Sequence, residues 1–181
     1  MTDIYEISSP MENSNSRVEF TKNETGNLFE FFMSSENQYL PPKHIKLIAQ
    51  RNLTNEYITK ADFLNAIVNI PIFSGRLVKK LQDKLSGDIS FYPCTVNQSH
   101  IFYIGKILKS LKIIDYSNSK YMPLSDPNDP PILFEPNFIS PRSDFFIARD
   151  ITESTRYVVS DKFKNLIESE GFEINFKKVN N

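Results

Sequence analysis

The apolar positions of this chain fall into short runs, and one run-and-stripe pattern occurs twice. At its first occurrence, residues 70–73 (Ile-Pro-Ile-Phe) are wholly apolar and predict a buried strand. Ser74 follows, and its hydroxyl suits a helix N-cap because it can accept an otherwise unpaired backbone N–H. Leu77, Val78, Leu81 and Leu85 then recur at helical spacing, with Arg76, Lys79, Lys80, Asp83 and Lys84 on the solvated side. Gly87 is the predicted stop, through a left-handed conformation. Ile89-Ser90-Phe91 alternates as a strand, which Pro93 restricts to an edge or an ending.

The second occurrence spans residues 157–176. Tyr157-Val158-Val159 reads as a strand, Ser160 as its cap, and Asp161 lies in the first turn, where the helix dipole favours an acid. Phe163, Leu166 and Ile167 form the stripe, Gly171 is the stop, and Ile174-Asn175-Phe176 returns as a strand. Laid over each other, Ser74 matches Ser160, Leu77 matches Phe163 and Leu81 matches Ile167. Ile89-x-Phe91 matches Ile174-x-Phe176 after a one-residue gap. Any strand–helix–strand unit produces such a match, and internal duplication is the alternative source. The predicted elements are the same under both.

Elsewhere, residues 4–7, 18–21 and 28–33 predict short strands, the last two separated by a turn at 23–27 within an otherwise polar N-terminal region. Pro41-Pro42 precedes a basic segment, residues 43–52, that suits strand or helix. Thr59-Lys60-Ala61-Asp62 predicts the cap of a short helical turn reaching Ile67, which Pro71 bars from continuing. Residues 100–104 read as a strand, 107–114 as a short helix carrying Ile107, Leu108 and Leu111, and 145–148 as a further strand. Six prolines between 122 and 142 predict irregular structure there. The fold class is therefore α+β: short, mostly antiparallel strands with a few helices and two similar strand–helix–strand units. Residues 1–58 form an N-terminal strand-rich segment and 59–181 an α+β domain, with related units at 59–97 and 144–179. The whole is expected to make one compact domain, in keeping with 181 residues.

Composition narrows the function classes. A formal net charge of −1 gives no global field toward nucleic acid or anionic membrane. No stretch approaches the roughly 20 apolar residues of a membrane span, and the N-terminus lacks a basic region followed by an apolar core. Cys94 is the only cysteine, which excludes an intramolecular disulfide and a cysteine cluster for zinc. A cytoplasmic location is the expectation.

Little in the sequence points to catalysis. His44 and His100 lie far apart, Cys94 has no adjacent histidine, and Ser74 and Ser160 suit caps better than nucleophiles. No phosphate-loop, dinucleotide, zinc-protease or hydrolase-elbow pattern occurs. No catalytic residue, cofactor or metal is expected, and the chain reads as no enzyme. Asp126 and Asp129, with Asp115 and Glu135 near in sequence, would suit a metal site or an acid pair, but solvated positions on a loop explain them more simply. Lys79, Lys80, Lys84, Lys106, Lys109 and Lys112 would suit a nucleic-acid surface, but the outer faces of amphipathic helices on a nearly neutral chain explain them more simply. An acidic loop on a rigid scaffold also suits a protein partner with a basic site. Asp115, Tyr116, Asp126, Asp129 and Glu135 are the candidate partner-binding residues.

Several short motifs, in order, resemble a known family. They are Ala61-Asp62-Phe63-Leu64, Pro71-Ile72-Phe73-Ser74, Leu77 to Leu81, Tyr92-Pro93, Phe102-Tyr103-Ile104, and Asp115 followed by Ser119. Asp144-Phe145-Phe146-Ile147, the Val158 to Phe163 run and Gly171 to Phe176 complete the set. Together they resemble bacterial polymorphic-toxin immunity proteins, specifically immunity family eleven, over roughly residues 60–179. The arginine usual in that family after the Phe145 strand falls at Arg149. The resemblance implies a cytoplasmic protein that binds and neutralises a cognate toxin delivered by contact-dependent or type VI secretion, with no catalytic residues of its own. The other readings are a ligand-binding or enzymatic domain with an unfamiliar site, and a nucleic-acid-binding regulator.

Overall fold

Ile72 and Phe73 point to opposite sides of one strand, and that alternation sets out the layers of the molecule. The computed structural model describes residues 2–10, 17–21, 25–34, 43–126 and 128–179. Its largest sheet has six strands in the order β2 (Val18–Phe20), β3 (Ile45–Ala49), β6 (Ile89–Val96), β7 (His100–Ile107), β5 (Ile72–Ser74) and β4 (Phe63–Leu64). The second has five, in the order β13 (Asn175–Lys178), β1 (Ile4–Ser8), β12 (Tyr157–Ser160), β11 (Ile147–Asp150) and β8 (Ser110–Leu111). β9 (Lys120–Met122) and β10 (Ile132–Glu135) form a separate hairpin. The helices are α1 (Thr25–Met33), α2 (Asn55–Lys60), α3 (Gly75–Leu85) and α4 (Asp161–Ser169). Most pairings are antiparallel, while β3–β6 and β8–β11 are parallel, and the fold is α+β with strands predominating.

The two strand–helix–strand units have the same topology. β5 and β6 are each antiparallel to β7, which lies between them, and β12 and β13 are each antiparallel to β1 in the same position. β4 flanks β5 as β11 flanks β12. Ser74 caps α3 by accepting Leu77 N–H at 3.3 Å, and Ser160 caps α4 by accepting Phe163 N–H at 3.4 Å. Leu77 and Leu81 of α3 and Phe163 and Ile167 of α4 enter one shared core with Phe73, Ile147 and Val159. Both helices therefore lie between the two sheets.

The far side of the six-stranded sheet holds a second core. Ile45, Leu47, Ile72, Cys94, Val96 and Ile104 meet Leu28, Phe31 and Phe32 of α1 and Ile58 of α2 there. The sheet curls until its edges meet: Val18 N donates to Asn65 O at 2.9 Å, and Ile67 N to Val18 O at 3.0 Å. The far side of the five-stranded sheet packs Ile4, Ala148 and Val158 against Ile113, Ile114, Phe138 and Phe145.

Several expectations are corrected. Residues 28–33 belong to a helix, because Leu28, Phe31 and Phe32 bury one face at i, i+3, i+4, a period that outweighs the strand preference of the aromatics. Near residue 60 the helix comes earlier, over Asn55–Lys60 with Thr54 as its cap, and Phe63–Leu64 is a strand. Residues 107–114 contain no helix: Leu108 is exposed, so Ile107, Leu108 and Leu111 share no buried face. The proline-rich stretch holds a hairpin, whose strands use its proline-free segments. Ser86 is the C-cap of α3, and Gly87 does not adopt the left-handed conformation, whereas Gly171 does, with φ of 74°. β6 continues through Pro93 to Val96, and Pro93 falls just before the part of β6 that pairs with β3, so its missing N–H leaves no ladder bond unmade. The strand expected at 145–148 spans Ile147–Asp150. The polar residues 11–16, part of the turn at 23–27, and Pro41-Pro42 lie outside the described residues.

Candidate partner-binding hairpin

Strand register decides what the β9–β10 hairpin presents. Met122 lies opposite Ile132 and Tyr121 opposite Leu133, with Lys120 opposite Glu135 beyond a bulge. Side chains alternate along each strand. Leu133 therefore turns toward the core of Ile113, Phe138 and Phe145, while Met122, Ile132 and Phe134 share the outward face. Those three are 44%, 45% and 58% exposed, and Leu124 beside them is 38% exposed. Scattered surface hydrophobics are ordinary, whereas these are grouped on one face of a small hairpin.

The base of the hairpin is held rigidly. Asp150, buried in β11, accepts N–H from Ile113 at 3.1 Å and from Thr152 and Glu153 at 2.9 Å each, and it accepts the Tyr116 hydroxyl. Burial pushes the Asp150 carboxyl up, but these hydrogen bonds together outweigh it and hold the group below the usual aspartate range. Tyr121 Oη donates to Tyr116 O at 3.2 Å, and Asn137 N donates to Ser119 Oγ at 2.9 Å, closing the stem.

The five candidate residues divide between two ends of this element. Asp126 and Asp129 lie in the exposed turn, where Asp126 Oδ1 accepts Asn128 N at 2.9 Å and Asp129 N donates to Asp126 O. Glu135 ends β10 and pairs with Lys120 at 2.6 Å. Asp115 caps the 3-10 turn at Tyr116–Asn118, accepting Ser117 N at 3.1 Å and Asn118 Nδ2 at 2.6 Å. The Ser117 and Asn118 hydrogen bonds hold its carboxyl low. Tyr116 directs its hydroxyl inward to Asp150. The acids thus flank an apolar face. Among the described residues no group of three or more His, Cys, Asp or Glu side chains could hold a metal ion.

The apolar face escaped the sequence reading, which weighed the acids and prolines. Its signal was present in the alternations Lys120-x-Met122 and Ile132-x-Phe134. The other candidates have structural roles. Cys94 is buried, and burial pushes its thiol up to about 12, which leaves it protonated and unreactive at neutral pH. Lys106 is buried over the Phe31 ring, Lys80 and Lys84 pair with Glu170, and Lys109 pairs with Asp88. Four of the six lysines are thus buried or paired with a carboxylate.

Asp62, Asp88 and Arg149 are buried polar groups, of which the sequence points to Arg149 only through the family resemblance. Asp62 accepts Ser74 Oγ at 3.0 Å, Arg76 Nε at 2.6 Å and Glu173 N at 2.9 Å, joining the two units. Asp88 joins them again by accepting Phe146 N. Arg149 is buried in β11, donating from Nη1 to Ser154 O and toward Met33 Sδ, while its Nε and Nη2 find no hydrogen-bond partner among the described residues. Burial lowers its guanidinium to about 10.

No family model matches the chain, and no curated protein matches it.

Proposed function

We propose that this chain is an immunity protein that binds and neutralises a cognate bacterial toxin acting in the cytoplasm. The observation that carries the reading is the outward face of Met122, Ile132 and Phe134 on a rigidly based hairpin. A two-stranded hairpin gains little stability from such residues in water, whereas a partner that covers them gains both apolar burial and a fixed backbone to dock on. Asp126 and Asp129 at one end suit a cationic rim on the partner, where complementary charge speeds encounter. The sequence resemblance to immunity family eleven supports the same role, and a blocking protein needs no catalytic group of its own.

Co-expression with the toxin domain encoded beside this gene tests the reading. The native chain should restore growth and co-elute with the toxin, burying about 1,200–2,000 Å² in total. Replacing Met122 and Phe134 together by Ser should abolish rescue while leaving the thermal midpoint nearly unchanged, since central interface anchors each contribute about 2 kcal/mol or more. Failure of the native chain to rescue or bind would sink the immunity reading. Full rescue by the double variant would remove the hairpin from it.

A further inference from the structure

A cleft of about 840 Å³ opens where the end of the five-stranded sheet meets the chain following β4. That volume is in the range of small-molecule sites, about 300–1,000 Å³. It lies away from the hairpin and shares no lining residue with it. Arg17, Arg156 and Lys177 line it, and Glu6 is the only carboxylate among its lining residues. Lys177 stands 3.9 Å from Glu6, a loose and exposed contact that consumes little of either charge. Among the described residues the Arg156 side chain has neither an ion pair nor a hydrogen bond, and Arg17 reaches only Ala66 O at 3.5 Å. The lining therefore carries two more cations than anions.

The wall behind the cleft adds a further charge. Tyr157 lines it, and the buried Arg149 guanidinium sits 5.9 Å from the Tyr157 ring centre. Among the described residues, two of the Arg149 nitrogens have no acceptor and no carboxylate pairs with it. A buried cation without a counter-charge is costly, and a nearby anion offsets that cost. Arginine also grips phosphate and carboxylate through a planar fork of donors.

We infer that this cleft binds a small polyanion bearing phosphate or carboxylate groups, held by Arg17, Arg156 and Lys177. Isothermal titration of the full chain with pyrophosphate, ATP and citrate at constant ionic strength tests the assignment, with adenosine as the uncharged control. At least one polyanion should bind saturably and raise the thermal midpoint, while adenosine should not. Pyrophosphate against citrate then separates phosphate from carboxylate recognition. Arg156→Ala and Lys177→Glu should each weaken binding about tenfold or more, the size of one lost charge-assisted hydrogen bond. Lys112→Ala, on the surface outside the cleft, should not. Lys177 is itself highly exposed, so its variant folds and serves as the reference if Arg156→Ala proves unstable. Absence of saturable binding for all three anions, or equal affinity in the Lys177→Glu protein, overturns the assignment. So does tighter binding of a thymidine oligonucleotide than of any small anion.

Discussion

Unit one, β5–α3–β6, and unit two, β12–α4–β13, use the same capped helix and the same split pair of strands, yet different supports hold them. Ser74 donates to the buried Asp62 carboxylate, whereas Ser160 donates to the neutral Phe145 carbonyl at 2.5 Å. The strand that splits unit one, β7, follows β6 through a tight turn in which Asn97 and Gln98 take positive φ of 50° and 66°. The strand that splits unit two, β1, comes from far upstream and meets β12 through Ile4 opposite Ser160. Unit one is thus local and anchored by charge. Unit two is assembled from distant pieces and anchored by neutral hydrogen bonds, with Asp62 reaching across to Glu173 N as a shared tie. Local signals fix a cap and a stripe, and long-range partners decide how firmly each is held.

The largest test of this comparison is the core the two units share. Phe73 and Phe163 meet across it with ring centres 6.3 Å apart. Each Phe→Ala substitution should cost about 3–5 kcal/mol in urea unfolding. A double-mutant cycle should show coupling of about 0.5–1.5 kcal/mol. Strict additivity would mean that the units are energetically separate. Next in size is the asymmetry of the caps. Asp62→Ala removes the acceptor of three donors and should cost about 2–3 kcal/mol, against about 1 kcal/mol for Ser160→Ala. Equal losses would erase the contrast.

A third test concerns acid stability. The Asp150 carboxyl lies lower in the folded chain than its unfolded value of about 3.9, so the unfolded chain takes up the proton first. Its stabilising contribution is complete above that pH and disappears as pH falls through the lower folded value. Asp150→Asn should lose about 1 kcal/mol at neutral pH and flatten acid unfolding below about pH 4. An unchanged acid limb in the variant would count against the hydrogen-bonded carboxylate as its source. The smallest test compares the helix ends. Gly171→Ala must force an alanine into the left-handed region and should destabilise by about 1 kcal/mol, while Gly87→Ala, with open space around its Cβ, should stabilise by about 0.4–1 kcal/mol. Thermal midpoints moving in the same direction would refute the distinction.

What could be read from the sequence follows the reach of each interaction. The Ser74 and Ser160 caps, their stripes and the Gly171 stop were legible because each depends on residues within one or two turns. The segment around Phe29, Phe31 and Phe32 was misread because a dense aromatic run satisfies a strand and a helix face alike. The hairpin at 120–135 occupies the proline-free segments of a stretch whose six prolines otherwise predict irregular structure. Of the site, the acids at 115, 126, 129 and 135 were visible as charges, but the apolar face emerges only once Met122 is known to lie opposite Ile132. The cleft was not legible at all, since Arg17, Arg156 and Lys177 meet only through the closure of distant strands.

The origin of β1 bears on how the chain is made. A ribosome delivers about 5–20 residues per second, so β1 must wait on the order of ten to thirty seconds for β12 and β13 to emerge. Throughout that interval its Ile-Tyr-Glu-Ile-Ser segment lacks the two strands it pairs with, whereas the strands of unit one and β7 lie within consecutive residues from Ile72 to Ile107. During synthesis, unit one can therefore pair its own strands before β1 meets β12 and β13.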